Sequence, residues 1–285
     1  MFPASFDYHR PKTIQEAVKL LRDVKGSRVL AGGHSLLPAM KLRLASPAAL
    51  IDISRIKELS GIDSTKDGLR IGALTTHAAI ADSETVRRNC PVLAETAAHI
   101  GDQQVRNRGT IGGSIAHADP AADYPTVMLL LDAKIIAVNG KDREINAEKF
   151  FVDLFTTSLK PGEILASIVI PKLDAGASAV YLKHRHPASA FAVVGVAAMI
   201  RVKDGKCADV RIAVGGVTAV AVRAKSAERA LAGQAPTAAN IEKAAAAVAD
   251  ALKDPIGDSY ASGEFRVHLA SVMTKRALMQ VAKSS

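Results

Sequence analysis

Two glycine-bearing segments constrain this chain more than any other feature. Ala31-Gly32-Gly33-His34-Ser35 follows a short apolar run, Arg28–Ala31, and leads into apolar Leu36, Leu37 and Met40. Gly109-Thr110-Ile111-Gly112-Gly113-Ser114 comes later and has the same character, with paired glycines beside hydroxyl residues. Glycine lets the backbone take positive φ and approach a ligand closely. Successive N–H groups in such a loop converge on an anion, and Ser35, Thr110 and Ser114 add hydroxyl donors. Two such loops in one domain suit two sides of one pyrophosphate. The same residues also make ordinary tight turns, and composition alone leaves both readings standing. Neither segment is G-x-G-x-x-G or G-x-x-x-x-G-K-[ST], so a Rossmann site and a P-loop both lack their fingerprint. Gly33-His34-Ser35 does not make the G-x-S-x-G nucleophile elbow.

The periodicity around these segments predicts mixed α/β structure. Thr13-Ile14-Gln15-Glu16 reads as a capping box opening a helix that Gly26 ends. Ala48–Ile53 reads as a strand, and Ile62–Leu74 as a hairpin turning at Lys66-Asp67-Gly68. Thr76 is a candidate N-cap, and Pro91 starts a helix through Ile100. The stretch 101–120 shows no period. Pro125 restarts a helix, and strands follow at Ile135–Val138, Arg143–Ile145 and Ile164–Ile170. Residues 171–178 read as a linker. Beyond it, Phe191–Val202 and Cys207–Val214 flank an Asp204-Gly205 turn, and three Ala-rich helical patterns run over Lys225–Ala232, Asn240–Leu252 and Glu264–Val281. The expected class is α+β, with a domain at 1–175 (subdomains at about 1–57 and 58–175) and a second domain at 176–285.

Composition excludes several functions. Two cysteines, Cys90 and Cys207, are too few for a disulfide scaffold, a usual zinc site or an iron–sulfur cluster held by this chain alone. Lone thiols suit a reducing compartment. The first residues have no secretory signal pattern, and no apolar run approaches the 18 or so residues of a membrane span; a cytoplasmic protein is expected. The charge of +9 is scattered over Arg106 with Arg108, Lys183-His184-Arg185-His186 and Lys275-Arg276. With aromatics at 4%, this argues against a nucleic-acid surface. His184 and His186 read as a solvated basic edge more readily than as a metal site. Asp119 and Asp123 read either as a turn and an N-cap or as carboxylates that take a sugar or polyol hydroxyl.

Taken together, Ala31-Gly32-Gly33-His34-Ser35-Leu36-Leu37-Pro38, Arg106-Asn107-Arg108-Gly109-Thr110-Ile111-Gly112-Gly113-Ser114 and Asp119-Pro120-Ala121-Ala122-Asp123-Tyr124-Pro125 resemble a known family. It is the FAD-binding medium subunit of the molybdenum hydroxylases (the xanthine dehydrogenase family), and the carbon monoxide dehydrogenase medium-subunit type above all. The resemblance extends through Phe6-Asp7-Tyr8-His9-Arg10-Pro11, Gly72–His77, Pro161–Leu165 and the C-terminal part. Relatives commonly carry Asn where this chain has Ser114, and an acidic residue where it has Ala190.

The resemblance implies a two-subdomain FAD-binding fold of the vanillyl-alcohol-oxidase or p-cresol-methylhydroxylase type, with a C-terminal α+β domain covering the flavin. It implies that Val29, Leu30, Ala31, Gly32, Gly33, His34, Ser35 and Leu36, with Thr110, Ile111, Gly112, Gly113 and Ser114, hold the pyrophosphate and its neighbours. Ile100 would pack near the nucleotide, Asp123 would bond ribityl or ribose hydroxyls, and Leu165 and Lys183 would lie near the isoalloxazine. No catalytic acid or base and no metal site is expected on this chain. The implied function is electron transfer within a heteromeric oxidoreductase. A large subunit would carry the molybdenum cofactor and a small one two-iron iron–sulfur clusters, in a dimer of heterotrimers (a heterohexamer). Electrons would leave for an external acceptor, with peripheral association to a membrane quinone pool left open. The alternatives are a stand-alone flavin oxidase or dehydrogenase, and a phosphate- or nucleic-acid-binding module.

Overall fold

The computed structural model describes residues 1–283. The first layer is a parallel sheet of order β1-β3-β2, made of β1 (Asp7–His9), β2 (Ser27–Leu30) and β3 (Ala49–Asp52). Parallel neighbours need crossovers. These are α1 (Ile14–Asp23) and the loop leading to α2 (Leu36–Lys41). Thr13 Oγ1 caps α1 by accepting from Glu16 N at 3.2 Å. The reciprocal half of the capping box is displaced by one residue: the Glu16 carboxylate accepts from Lys12 N at 2.8 Å.

The second layer is an antiparallel sheet, β4-β5-β10-β6-β7, built from β4 (Ile62–Thr65), β5 (Gly68–Gly72), β6 (Lys134–Val138), β7 (Asp142–Asn146) and β10 (Ile164–Pro171). Between β5 and β6 run α3 (His77–Asp82), α4 (Glu84–Asn89), α5 (Pro91–Ala98), α6 (Gln103–Arg108), α7 (Ile111–His117) and α8 (Asp123–Leu130). Side-chain caps at Thr76, Ser83, Asp102 and Thr110 start four of these helices. Two of them, α6 and α7, occupy the stretch that has no period in the sequence. Residues 147–157 add α9 (Ala147–Phe150) and a hairpin of β8 (Phe151–Asp153) and β9 (Thr156–Thr157).

The third layer is the antiparallel sheet β11-β12-β13-β14, from β11 (Ala177–Arg185), β12 (Ala192–Lys203), β13 (Lys206–Gly215) and β14 (Val222–Arg223). The expected linker is shorter than its composition suggests, because Pro171 ends β10 and Ala177 already begins β11. β12 is apolar on both faces for a physical reason. Val194, Val196, Ala198 and Ile200 pack with α10 (Lys225–Leu231), α11 (Ala238–Ala246) and α12 (Gly263–Lys283). Ala197 and Met199 face the other way, into the core that contains α5 and α8. Strand alternation thus places one sheet between two cores.

No helix of the described residues is long and apolar enough to cross a membrane. No group of three or more His, Cys, Asp or Glu side chains among them is placed to hold a metal ion. Both cysteines are buried and free.

Ile212 is fully buried in β13 on the face that the helices cover. Its replacement by Ala is expected to cost about 2–5 kcal/mol of unfolding free energy, the range for opening a cavity in a closed core. Urea unfolding of the full chain measures it, and a loss well under 1 kcal/mol would contradict the packing of the helices on that face.

Candidate functional site

The first glycine segment is a loop between β2 and α2. Gly33 sits at φ +79°, a conformation that favours glycine. The carbonyls of Gly33 and Ser35 accept from Leu37 N and Ala39 N, and His34 Nδ1 donates to the Gly32 carbonyl at 3.1 Å. The N–H groups of Gly32, Gly33, His34, Ser35 and Leu36 donate to no acceptor among the described residues. Ser35 precedes α2 without a side-chain cap bond, and its hydroxyl has no partner among the described residues. A run of five unspent donors on one loop is the arrangement that binds an anion.

The second segment differs from its expectation as a loop. Ile111 to His117 is the helix α7 and Thr110 is its N-cap, accepting from Gly113 N at 3.1 Å. Ile111 N donates to the Thr75 carbonyl, Gly112 N to Ala73 and Ser114 N to Thr110. These N–H groups are therefore spent within the protein and form no nest. The glycines there serve close packing: a Cβ on Gly112 would collide with Ala73, and one on Gly113 would lie 2.7 Å from Thr110 Oγ1. The Ser114 hydroxyl has no partner among the described residues.

The two segments meet. A Cβ on Gly32 would drive into the Arg108 carbonyl, so the first loop lies flush on the Arg108–Gly109 backbone. Gly109 in turn has no room for a Cβ, which would sit 2.6 Å from His77 Nε2. Gly113 faces Ala31 across 3.9 Å measured from its would-be Cβ. The structure thus brings Val29–Leu36 and Thr110–Ser114 together. Leu165 is buried in the core cluster that also holds Ala73 and Ile111, and the carbonyl of its neighbour Ala166 accepts the N–H of the Ala73 on which Gly112 rests.

The remaining expected residues form a second group. Asp123 is the first residue of α8 and is 4% exposed. Its Oδ1 accepts from Tyr181 Oη at 2.6 Å and its Oδ2 from Lys183 Nζ at 2.8 Å. Burial pushes the Asp123 carboxyl pKa up, while Lys183 and Tyr181 pull against it. Lys183 also donates to the His99 carbonyl, next to Ile100, at 3.2 Å. Asp119 makes the expected turn, with Oδ1 accepting from Ala121 N.

Three residues here had no role assigned to them from the sequence. Tyr181 shares a strand face with Lys183 and Arg185, an alternation that is legible once 177–185 is taken as a strand. His77, 4% exposed, lies under the glycine junction, and its ring stands 5.3 Å from that of Tyr124; His77 Nδ1 and the buried Tyr124 hydroxyl have no partner among the described residues. Thr76 in the capping position is the signal that places His77 at the start of α3.

Burial, with the nearby charges of His34 and Arg106, lowers the His77 pKa to about 4, so the imidazole is neutral at pH 7. The ordinary value is 6.5. Between those values the unfolded chain takes up a proton that the folded chain refuses, so this residue withdraws stability as pH falls. Replacing His77 by Asn is expected to remove at most about 2 kcal/mol of the stability lost between pH 6.5 and pH 5. Urea unfolding of both chains across that range checks it, and an unchanged slope would show that the imidazole is not held neutral.

A backbone cradle with free N–H groups, closed by a glycine-only contact, has the chemistry to take an anionic group such as a pyrophosphate. Residues 4–173 match the FAD binding domain in molybdopterin dehydrogenase, and residues 179–281 the CO dehydrogenase flavoprotein C-terminal domain. The chain is 36% identical to the 6-hydroxypseudooxynicotine dehydrogenase complex subunit alpha of Paenarthrobacter nicotinovorans, covering 98% of this chain and 95% of that one. It is 37% identical to the glyceraldehyde dehydrogenase medium chain of Sulfolobus acidocaldarius, covering 99% and 100%. Its fold superposes on carbon monoxide dehydrogenase from Hydrogenophaga pseudoflava with a TM-score of 0.96 and 39% identity, over 100% of this chain and 99% of that chain. The chain therefore belongs to the FAD-binding subunits of the molybdopterin dehydrogenases, with a two-part α+β fold and FAD as its cofactor.

Proposed function

We propose that this chain is the electron-transferring flavoprotein subunit of a heteromeric molybdenum hydroxylase. It receives electrons from iron–sulfur clusters on a small subunit and delivers them to an external acceptor, while a large subunit with the molybdenum cofactor oxidises the substrate. The observation that carries the reading is the loop of free N–H groups seated on the Arg108–Gly109 backbone. FAD supplies exchange of electrons both singly and in pairs, and the protein positions and tunes it.

The residues divide that task. The N–H groups of Gly32 through Leu36, with the Ser35 and Ser114 hydroxyls, hold the pyrophosphate. Thr110, Ile111, Gly112 and Gly113 contribute by fixing the floor on which the loop rests. Ile100 packs on the nucleotide, and Leu165 fills the space beneath. Lys183 has three N–H groups, of which Asp123 and His99 take two; the third is the donor for a flavin ring oxygen. Each Asp123 oxygen accepts one bond from the protein and keeps a lone pair for a ribityl hydroxyl. No residue need act as a general acid or base.

The relatives' names speak of different substrates, a glyceraldehyde and a 6-hydroxypseudooxynicotine among them. A flavin subunit common to such systems leaves substrate choice to another chain. The complex is a dimer of heterotrimers on this reading, and its acceptor is set by surfaces around the flavin.

The full chain, purified with its co-expressed partners, is expected to carry near-stoichiometric FAD, read from flavin absorbance after denaturation. Gly32→Val is expected to lose nearly all of it, because the side chain lifts the loop off Arg108. Gly32→Val with full flavin content would contradict the pyrophosphate assignment. A chain that purifies alone and oxidises an organic substrate by itself would contradict the subunit role.

A further inference from the structure

The turn between α5 and α6 is held in an unusual way. α5 ends at Ala98, and the last carbonyls of a helix have no donor within it. Three consecutive carbonyls follow, those of His99, Ile100 and Gly101, and among the described residues none accepts a backbone N–H. Every bond they accept comes from a cationic side chain. Lys183 Nζ donates to His99 at 3.2 Å, and Arg185 to Gly101 at 3.1 Å. Arg106 donates to Ile100 at 3.0 Å and to Gly101 at 3.3 Å. Cations complement the negative end of a helix. Three converging on one turn, from two different elements, fix its shape.

The supports are separately anchored. Lys183 is neutralised by Asp123, and both side chains are nearly buried, 4% and 5% exposed. Arg106 is steadied by Gln103 Oε1 at 3.0 Å. Alternation along β11 puts Tyr181, Lys183 and Arg185 on one face. Gly101 has φ +50°, and a Cβ there would lie 2.8 Å from Val105. Gly101 is therefore held to glycine, and Ile100, the middle residue of the turn, is partly buried and packs against the core below it.

We propose that Arg185 and Lys183 of β11, with Arg106 of α6, are positioning residues that hold the His99–Gly101 turn so that Ile100 meets the nucleotide of FAD. FAD retention thereby depends on the C-terminal domain. This rests on the flavoprotein reading above. Arg185 and Arg106 act through the turn and touch no reacting atom. Arg185 is exposed and its bond to Gly101 is a surface contact, so it contributes little to global stability. Its effect falls on the order of the turn instead.

The test is titration of the full-length apo chain with FAD, followed by flavin fluorescence, beside a melting curve of the same preparation without FAD. Arg185→Met and Arg106→Met are each expected to weaken FAD binding about tenfold, the effect of roughly 1.4 kcal/mol, with the apo melting temperature unchanged. Arg185→Lys keeps the charge and is expected to recover most of the affinity. Arg185→Met with wild-type affinity overturns the proposal. So does a melting temperature that falls in step with affinity without rescue by Arg185→Lys, since the contact is then only a structural tie. A wild-type chain that takes up no FAD overturns the flavoprotein reading itself, an outcome distinct from a variant that binds normally.

Discussion

The contact on which the rest depends is backbone against backbone: Gly32 on the Arg108 carbonyl. It admits no side chain, and it sets the loop of unspent N–H groups at one fixed place. Arg108 and Gly109 are themselves held from below. Gly109 accepts from His77 N at 3.0 Å, and the N-terminus of α7 is stitched to Ala73 and Thr75. Ala73 donates to Ala166 of β10. The cradle therefore inherits its rigidity from the five-stranded sheet through a short series of main-chain bonds. Its upper wall belongs to the loop after β2 of the parallel sheet, so the cradle lies where the first two layers meet.

The third layer adds cations to that frame. Several cations here bond main-chain carbonyls, most of them beside a carboxylate. Arg266, buried in α12, donates to Val193, Gly216 and Ala261 as well as to Asp258. Arg223 bonds Leu129 together with Asp132 and Glu228. Arg106, Arg185 and Lys183 serve the turn after α5, and Arg87 serves Ala81. Guanidinium groups used as ties for main-chain oxygens need no acidic partner each. Arg106 and Arg185 are the two of these that have no carboxylate partner among the described residues.

Much of this was legible in the sequence, and the gaps have physical causes. The caps at Thr13 and Thr76, the hairpin before Gly68 and the Asp204-Gly205 turn are local signals and give elements close to their observed bounds. α6 and α7 are not, because each is short and the first turn of α7 contains two glycines; tertiary stitching to Ala73 and Thr75 makes that helix, not propensity. β11 hides in a basic run, since Lys183 lies inward on a carbonyl and a carboxylate where an apolar residue would be expected, while Arg185 stays exposed. The first glycine segment reads correctly as a loop, whereas the second shows that paired glycines beside a threonine can equally mark a capped helix. Asp123 was visible as a candidate, but its bonds to Tyr181 and Lys183, about 60 residues away, come only from the tertiary fold that brings β11 to the start of α8.

Hydrogen exchange of the full chain with and without FAD tests most directly whether the first glycine loop is the anion site. The amides of Gly32 to Leu36 have no internal acceptor, so they should exchange fast in the apo chain and slow by at least about tenfold when FAD is added. Ile111, Gly112 and Ser114, already bonded within the protein, should change little. Amides 32–36 that exchange equally fast with and without bound FAD would contradict the account.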